Sequence, residues 1–224
     1  LYPALKEHVR IAKRPGQFLL TGSVRFTSRK VIRESLTGRI VSLDLLPFTV
    51  SEIHEEPLPD NLFQLLHYKK ESDIIRLFGK KKRSPKTFEQ YLEGGGLPGI
   101  CFFRDASIRS DKFESQMDTL LNRDIRLIYS TTLLYSSLRR LLAYLAQNQG
   151  KPFQITEASK EAQISKVTLP RVLFAFEALF LIRAVPVVGM SKTTYFLEDQ
   201  GMATWLKGRG IEGTRDLTRG IFAN

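Results

Sequence analysis

The residues best placed to do chemistry gather near the start of the chain. Phe18, Leu19 and Leu20 form an apolar run that ends in Thr21-Gly22-Ser23, and a basic series follows at Arg25, Arg29, Lys30 and Arg33. A continuous apolar run reads as a strand buried on both faces of a parallel sheet. Ligands of open α/β sheets bind beyond the carboxyl ends of such strands, where Thr21 and Ser23 could contact a phosphate or an attacking water. A strand-to-helix turn, with Gly22 at the bend and Ser23 as a cap, accounts for the same residues without chemistry.

Elsewhere the chemistry-bearing residues are sparse. Lys80 to Arg83 is a run of four cations before Ser84-Pro85 and reads as a solvated loop, with phosphate-backbone contact as the alternative. His8, His54 and His67 stand far apart, without metal spacing or a neighbouring nucleophile, and Asp111, Glu114 and Asp118 share a helix face that reads as solvent-facing. Cys101 is the only cysteine, which excludes an intramolecular disulfide and a cysteine-based zinc site and fits a reducing cytoplasm. With no base beside it, it reads as a core thiol.

The elements that position these residues follow from periodicity. Leu1 to Arg14 suits an amphipathic helix stopped by Pro15-Gly16, and a second strand is expected over Ile40 to Leu46, closed by Pro47. From Ser51 to about Tyr129 the pattern is helical: Glu52 to Glu55, Asn61 to Tyr68, Ser72 to Phe78, Pro85 to Glu93 and Asp111 to Ile128. Gly94-Gly95-Gly96-Leu97-Pro98-Gly99 reads as a hinge in preference to a backbone cradle.

Leu133 to Gln147, Glu157 to Gln163 and Thr168 to Phe180 then form three helices, the last with Leu169, Val172, Leu173, Phe176 and Leu179 on one face. Strands at Leu181 to Val188 and Thr193 to Leu197 flank a tip at Gly189 to Lys192. This order is a helix-turn-helix followed by a hairpin, a winged helix. Lys166, Arg171 and Lys192 are its candidate nucleic-acid contacts. Its third helix also exposes Phe174 and Glu177, as a protein-binding surface would, and both partners stay open. Pro170 is comfortable only in a first turn, so that helix begins near Thr168 or kinks.

The chain has 224 residues, 42% of them hydrophobic, enough for one large or two small cored domains. Its net charge of +11 favours an acidic partner. Residues 1 to 52 hold 9 basic and 4 acidic groups and residues 131 to 207 hold 9 and 5, so the excess sits in those two segments. Val172 to Val188, the longest apolar stretch, is interrupted by Glu177, Arg183 and Pro186, and no signal pattern precedes it. A soluble, cytoplasmic protein without a membrane partner is expected.

Taken together, the motifs LLTGS at residues 19 to 23, ESLTGR at 34 to 39, the strand ending Leu45-Leu46-Pro47 and Ser51-Glu52-Ile53 resemble the later half of an AAA-family P-loop ATPase core. The resemblance is to the bacterial and archaeal AAA-family ATPases that carry a C-terminal domain of unknown function. It continues through Tyr91-Leu92 with Gly95-Gly96-Leu97-Pro98, Arg123-Asp124-Ile125, and Tyr195-Phe196 with Asp199 and Gly201, to about residue 206. It implies that Thr21 and Ser23 are the sensor that orients the attacking water. Arg39 would be an arginine finger reaching a neighbouring subunit's nucleotide, with Arg25 and Arg33 as nucleotide contacts. A planar, permanently charged guanidinium suits a finger because it can follow the charge developing on the transferring phosphoryl group.

The resemblance also implies ATP and Mg²⁺ in the intact parent. A lysine-bearing phosphate loop, G-x-x-x-x-G-K-[ST], is not found in these 224 residues. The sequence is therefore expected to be the C-terminal portion of a longer ATPase, or a truncated relative, with no cofactor and no hydrolysis of its own. Its partners would be the missing N-terminal phosphate-loop region or neighbouring subunits, with DNA or a protein on the winged helix.

The expected architecture is an α/β remnant of a P-loop AAA core over residues 1 to 52, a helical lid or linker over 53 to 130, a winged helix over 131 to 207 and a tail over 208 to 224. The expected function is an ATP-driven conformational switch. The alternative is a non-catalytic DNA-binding or protein-interaction module whose core segment is vestigial.

Overall fold

The computed structural model describes residues 2–12, 14, 16–25, 40–55, 70–73 and 85–208. The first helix, α1 (Tyr2–Ala12), carries a Glu7–Arg10 ion pair one turn apart at its surface. One helical turn, α2 (Val50–Ile53), is fixed by a reciprocal capping box: Glu52 N donates to Thr49 Oγ1 at 3.3 Å, and Thr49 N donates to Glu52 Oε2 at 2.7 Å. α3 (Pro85–Gly94) opens on a proline, which needs no donor in a first turn. It closes on Gly95, whose φ of +68° is the left-handed conformation that suits a helix end.

α4 (Ala106–Thr119) starts where the Asp105 carboxylate accepts from Ser107 N at 2.7 Å. It runs through a wider π-helical turn at Leu120–Asp124 into α5 (Ile125–Ile128). Phe113, Met117, Leu121 and Ile125, spaced by four, are all buried.

α6 (Tyr135–Gln147) buries Leu138, Leu141, Leu142 and Leu145, at the helical spacing read from the sequence, whereas Leu134, expected inward with them, flanks the helix start and is exposed. α7 (Ile155–Ala162) ends at Gln163 in the left-handed region, and α8 (Leu169–Ala178) holds Pro170 in its first turn. β1 (Ile182–Pro186) and β2 (Thr193–Leu197) pair antiparallel, with Ile182 opposite Leu197 and Pro186 opposite Thr193. Pro152 forms an isolated bridge to Thr194, so the connection before α7 lies along the outer side of β2. α9 (Gln200–Leu206) closes the described chain, packed against α3 and α6.

Among the described residues one apolar cluster joins α4 to α9 and the hairpin, and it includes Val24 from the N-terminal segment. Trp205 stacks on Phe113 at 5.9 Å and receives the Arg139 guanidinium at 5.1 Å. Asp111 and Asp118 are exposed, as expected, and Glu114, still partly open to solvent, also pairs with Arg139, with Nη2 at 2.8 Å from Oε2.

The described residues are mainly helical, with one small two-stranded antiparallel sheet. The strands expected at Phe18 to Leu20 and Ile40 to Leu46 are corrected: neither is a strand, and Leu19, Val41, Leu43 and Leu45 are exposed. An apolar run becomes a buried strand only when a neighbouring strand satisfies its backbone, and none lies beside these segments among the described residues. The expected helices at Asn61 to Tyr68 and Ser72 to Phe78 lie wholly or mostly outside the described residues, and Lys80 to Arg83 lies outside them.

Candidate functional site

Val24 and Arg25 bring the Thr21–Ser23 turn onto the C-terminal helices. Val24 is buried in the common core, while Thr21 and Ser23 just before it are exposed. Arg25 N donates to the Ala178 carbonyl at the end of α8 at 2.8 Å. Its guanidinium lies 4.6 Å from the centroid of the Phe180 ring. Nη2 donates to Glu198 Oε1 at 3.1 Å, and Nη1 stands 3.6 Å from Asp44 Oδ2. Arg183 reaches the same buried Glu198 carboxylate, with Nη2 2.7 Å from Oε2. Arg33 and Arg39 lie outside the described residues, as do Arg29 and Lys30.

A second junction forms around the glycine-rich turn. Phe48 N donates to the Gly96 carbonyl at 2.7 Å, and Tyr91 Oη donates to the Phe48 carbonyl at 3.1 Å. Burial and the nearby Asp199 and Glu52 carboxylates push the Tyr91 phenol up to about 12, so it remains a donor. Gly94, Gly95 and Gly96 are buried, which departs from the hinge expected there. The turn is a backbone cradle whose anion is a side chain: Gly96 N and Met202 N each donate to Asp199 at 2.7 Å.

Burial raises the Asp199 pKa from its ordinary 3.8 to about 6, against the lowering effect of the N–H groups from Gly96, Met202, Leu97 and Gly201. Because the folded value lies above the unfolded one, the folded state binds more protons between the two. The resulting stabilisation is complete below about 3.8 and is lost as pH rises through about 6. Between pH 5 and 7.5, the thermal midpoint of the wild type relative to Asp199→Asn should therefore rise as pH falls. A difference between the two proteins that stays constant across that window would show that Asp199 does not titrate there.

A cleft of about 660 Å³ lies beside this junction, lined among others by His54, Tyr91, Cys101, Phe102, Arg104 and Arg109. Its cysteine is not an activated nucleophile, since burial and the Asp199 charge raise the thiol pKa. Arg109 is held by the Phe103 and Arg104 carbonyls at 2.9 and 2.8 Å. Among the described residues no group of three or more His, Cys, Asp or Glu could hold a metal ion. No helix among them is long and apolar enough to cross a membrane.

The candidate nucleic-acid contacts lie on or near α8 and the hairpin. Lys166 in the turn before it, Arg171 on it and Lys192 near the hairpin tip are all exposed. So are Val167, Phe174, Val188 and Met190, with Phe174 51% and Val188 98% open to solvent.

Sequence reasoning missed Glu198 and the role of Asp199. Asp199 had a local signal, a cap residue before the helix-forming Ala203-Thr204-Trp205-Leu206, whereas the partners of Glu198 lie 173 and 15 residues away.

No curated protein and no solved structure matches the chain. Residues 1–54 match the family described as AAA domain, and residues 85–210, more than half of the chain, match the one described as Domain of unknown function (DUF8612). An AAA-type, ATPase-related region thus stands at the N-terminal side, and the chain belongs to the family Domain of unknown function (DUF8612).

Proposed function

We propose that the chain is the output part of an ATP-driven conformational switch, in which an AAA-type region moves a winged-helix binding unit. One observation carries this reading: Val24 and Arg25, directly after the Thr21–Ser23 turn, are packed into the α8 and hairpin side of the C-terminal helices. Movement at Thr21 and Ser23, in the sensor role that the AAA resemblance gives them, would reach the binding unit through two residues. Arg39 would act as the finger, with Arg33 beside the nucleotide.

The buried glycine-rich turn at Gly94–Gly96 does not fit a triphosphate, because the Gly96 and Leu97 N–H groups are directed to Asp199. ATP and Mg²⁺ would be held by a phosphate loop outside these 224 residues, on another segment or a neighbouring subunit.

For the binding unit, α7, α8 and the hairpin have the element order of a winged helix. Lys166, Arg171 and Lys192 would make only a few phosphate contacts, and counterion release gives log K a slope of about −0.9 per neutralised phosphate. Duplex DNA binding by the full chain is expected at roughly 10⁻⁴ to 10⁻⁶ M at physiological salt, with a log–log slope near −3. Lys192→Ala or Arg171→Ala should each reduce the magnitude of that slope by about one, and Phe174→Ala should change little. A salt titration of the four proteins decides the matter. Undetectable DNA binding at low salt would leave the exposed Val167, Phe174, Val188 and Met190 as a protein-binding surface.

A further inference from the structure

Among the described residues, Glu198 holds two arginines from different parts of the chain, and the two are not equivalent. Arg183 belongs to β1, adjacent to the strand that leads into Glu198, and reaches it through Nη2 at 2.7 Å and Nε at 3.3 Å. Arg25 arrives from the AAA-type region with one contact at 3.1 Å, and keeps 28% of its side chain open to solvent. We propose that Ala178, Phe180 and Glu198 form a receptor for the Val24–Arg25 tip, and that Arg25 is a releasable clasp by which the AAA-type region engages and leaves the hairpin base while the C-terminal helices stay folded. Its role as a signal path rests on the switch reading above; the docking and release do not.

Three features make release feasible. A buried carboxylate stripped of its partner is strongly destabilising, but Glu198 retains the Arg183 guanidinium when Arg25 leaves. Arg25 keeps a counter-ion of its own, because Asp44 lies in the AAA-type region and travels with it. Arg25 Nε is buried without an acceptor among the described residues, so undocking restores hydration to a donor that docking leaves unsatisfied. The receptor reads two chemistries at once: an apolar site for Val24, and a carboxylate with the Phe180 ring for a guanidinium. Phe180 is held in the left-handed region, at φ +55°, where the chain leaves α8 for β1.

Amide hydrogen exchange on the full chain tests this without nucleotide, so its result is independent of whether the ATPase reading holds. The Arg25 amide is a direct probe, since its hydrogen bond to Ala178 exists only in the docked state. Arg25→Ala should speed exchange at Val24 and Arg25 by about tenfold or more, the effect of losing a charge-assisted hydrogen bond. The thermal midpoint of the C-terminal helices should stay within about 2 °C of wild type. Arg183→Ala should leave the Arg25 amide protected, because Glu198 then keeps Arg25. The double variant Arg25→Ala/Arg183→Ala should lower the midpoint by more than the two single variants together, as Glu198 then loses both guanidinium groups. If Arg25→Ala alone fails to fold, or falls as far as the double variant, Arg25 is a core element and the clasp is refuted. Unchanged exchange at Val24 and Arg25 refutes it equally, since the side chain then does not hold the tip.

Discussion

Arg39→Ala is expected to lower ATP turnover by on the order of 10³-fold, with nucleotide affinity nearly unchanged, when the chain works with a phosphate loop. The size follows from where a finger acts. Its guanidinium meets charge that grows on the phosphoryl oxygens in the transition state, so its loss raises the barrier and leaves the ground state untouched. Steady-state turnover measured beside nucleotide binding separates the two effects. An unchanged rate would leave Arg39 as a structural residue or pass the role to Arg29 or Arg33. Arg25 is a weaker substitute, since its guanidinium is engaged by Glu198 and Phe180.

The second large effect is expected at Gly201, where α9 crosses the end of α3. A methyl group there would lie 2.5 Å from Gly95 N, 2.6 Å from Gly94 C and 2.8 Å from the Gly94 oxygen. All three are backbone atoms, and Asp199, the cap residue of α9, holds Gly96 of the same turn, so neither partner can rotate away. Gly201→Ala should destabilise by about 3 kcal/mol or more, or roughly 10 °C in midpoint for a chain of this size. Gly99→Ala is the matched control, because a methyl group there meets nothing within 4 Å. Equal melting of both variants and wild type would mean that α9 and α3 do not approach so closely in solution.

What could be read from the sequence was what local pattern determines. Leu138, Leu141, Leu142 and Leu145 located α6, and Leu169, Val172, Leu173 and Phe176 located α8. Thr193 to Leu197 has the same bounds in the sequence reading and in the structure. The expected Asp111 start of α4 was late, because Asp105 caps a first turn that carries little apolar signal.

Residues 17–25 and 40–49 misled for a different reason. Their apolar runs encode burial, but a strand also needs a neighbour, and no local pattern says whether one is present. The site was least legible of all. Arg25 reads as one cation in a basic series until Glu198 appears beside it, and a glycine run reads as a hinge until Asp199 fills it.

The wide turn at Leu120–Asp124 has a consequence for descent by insertion and deletion. Steps of four residues overshoot a regular helical turn by about 40° each, so a row of four such side chains would drift well around the helix. Phe113, Met117, Leu121 and Ile125 nevertheless share one core, because the turn takes up the excess and returns the second half to the phase of the first. It is therefore where one residue can be lost without rotating either flanking helix, and where the gap belongs when a relative one residue shorter is aligned.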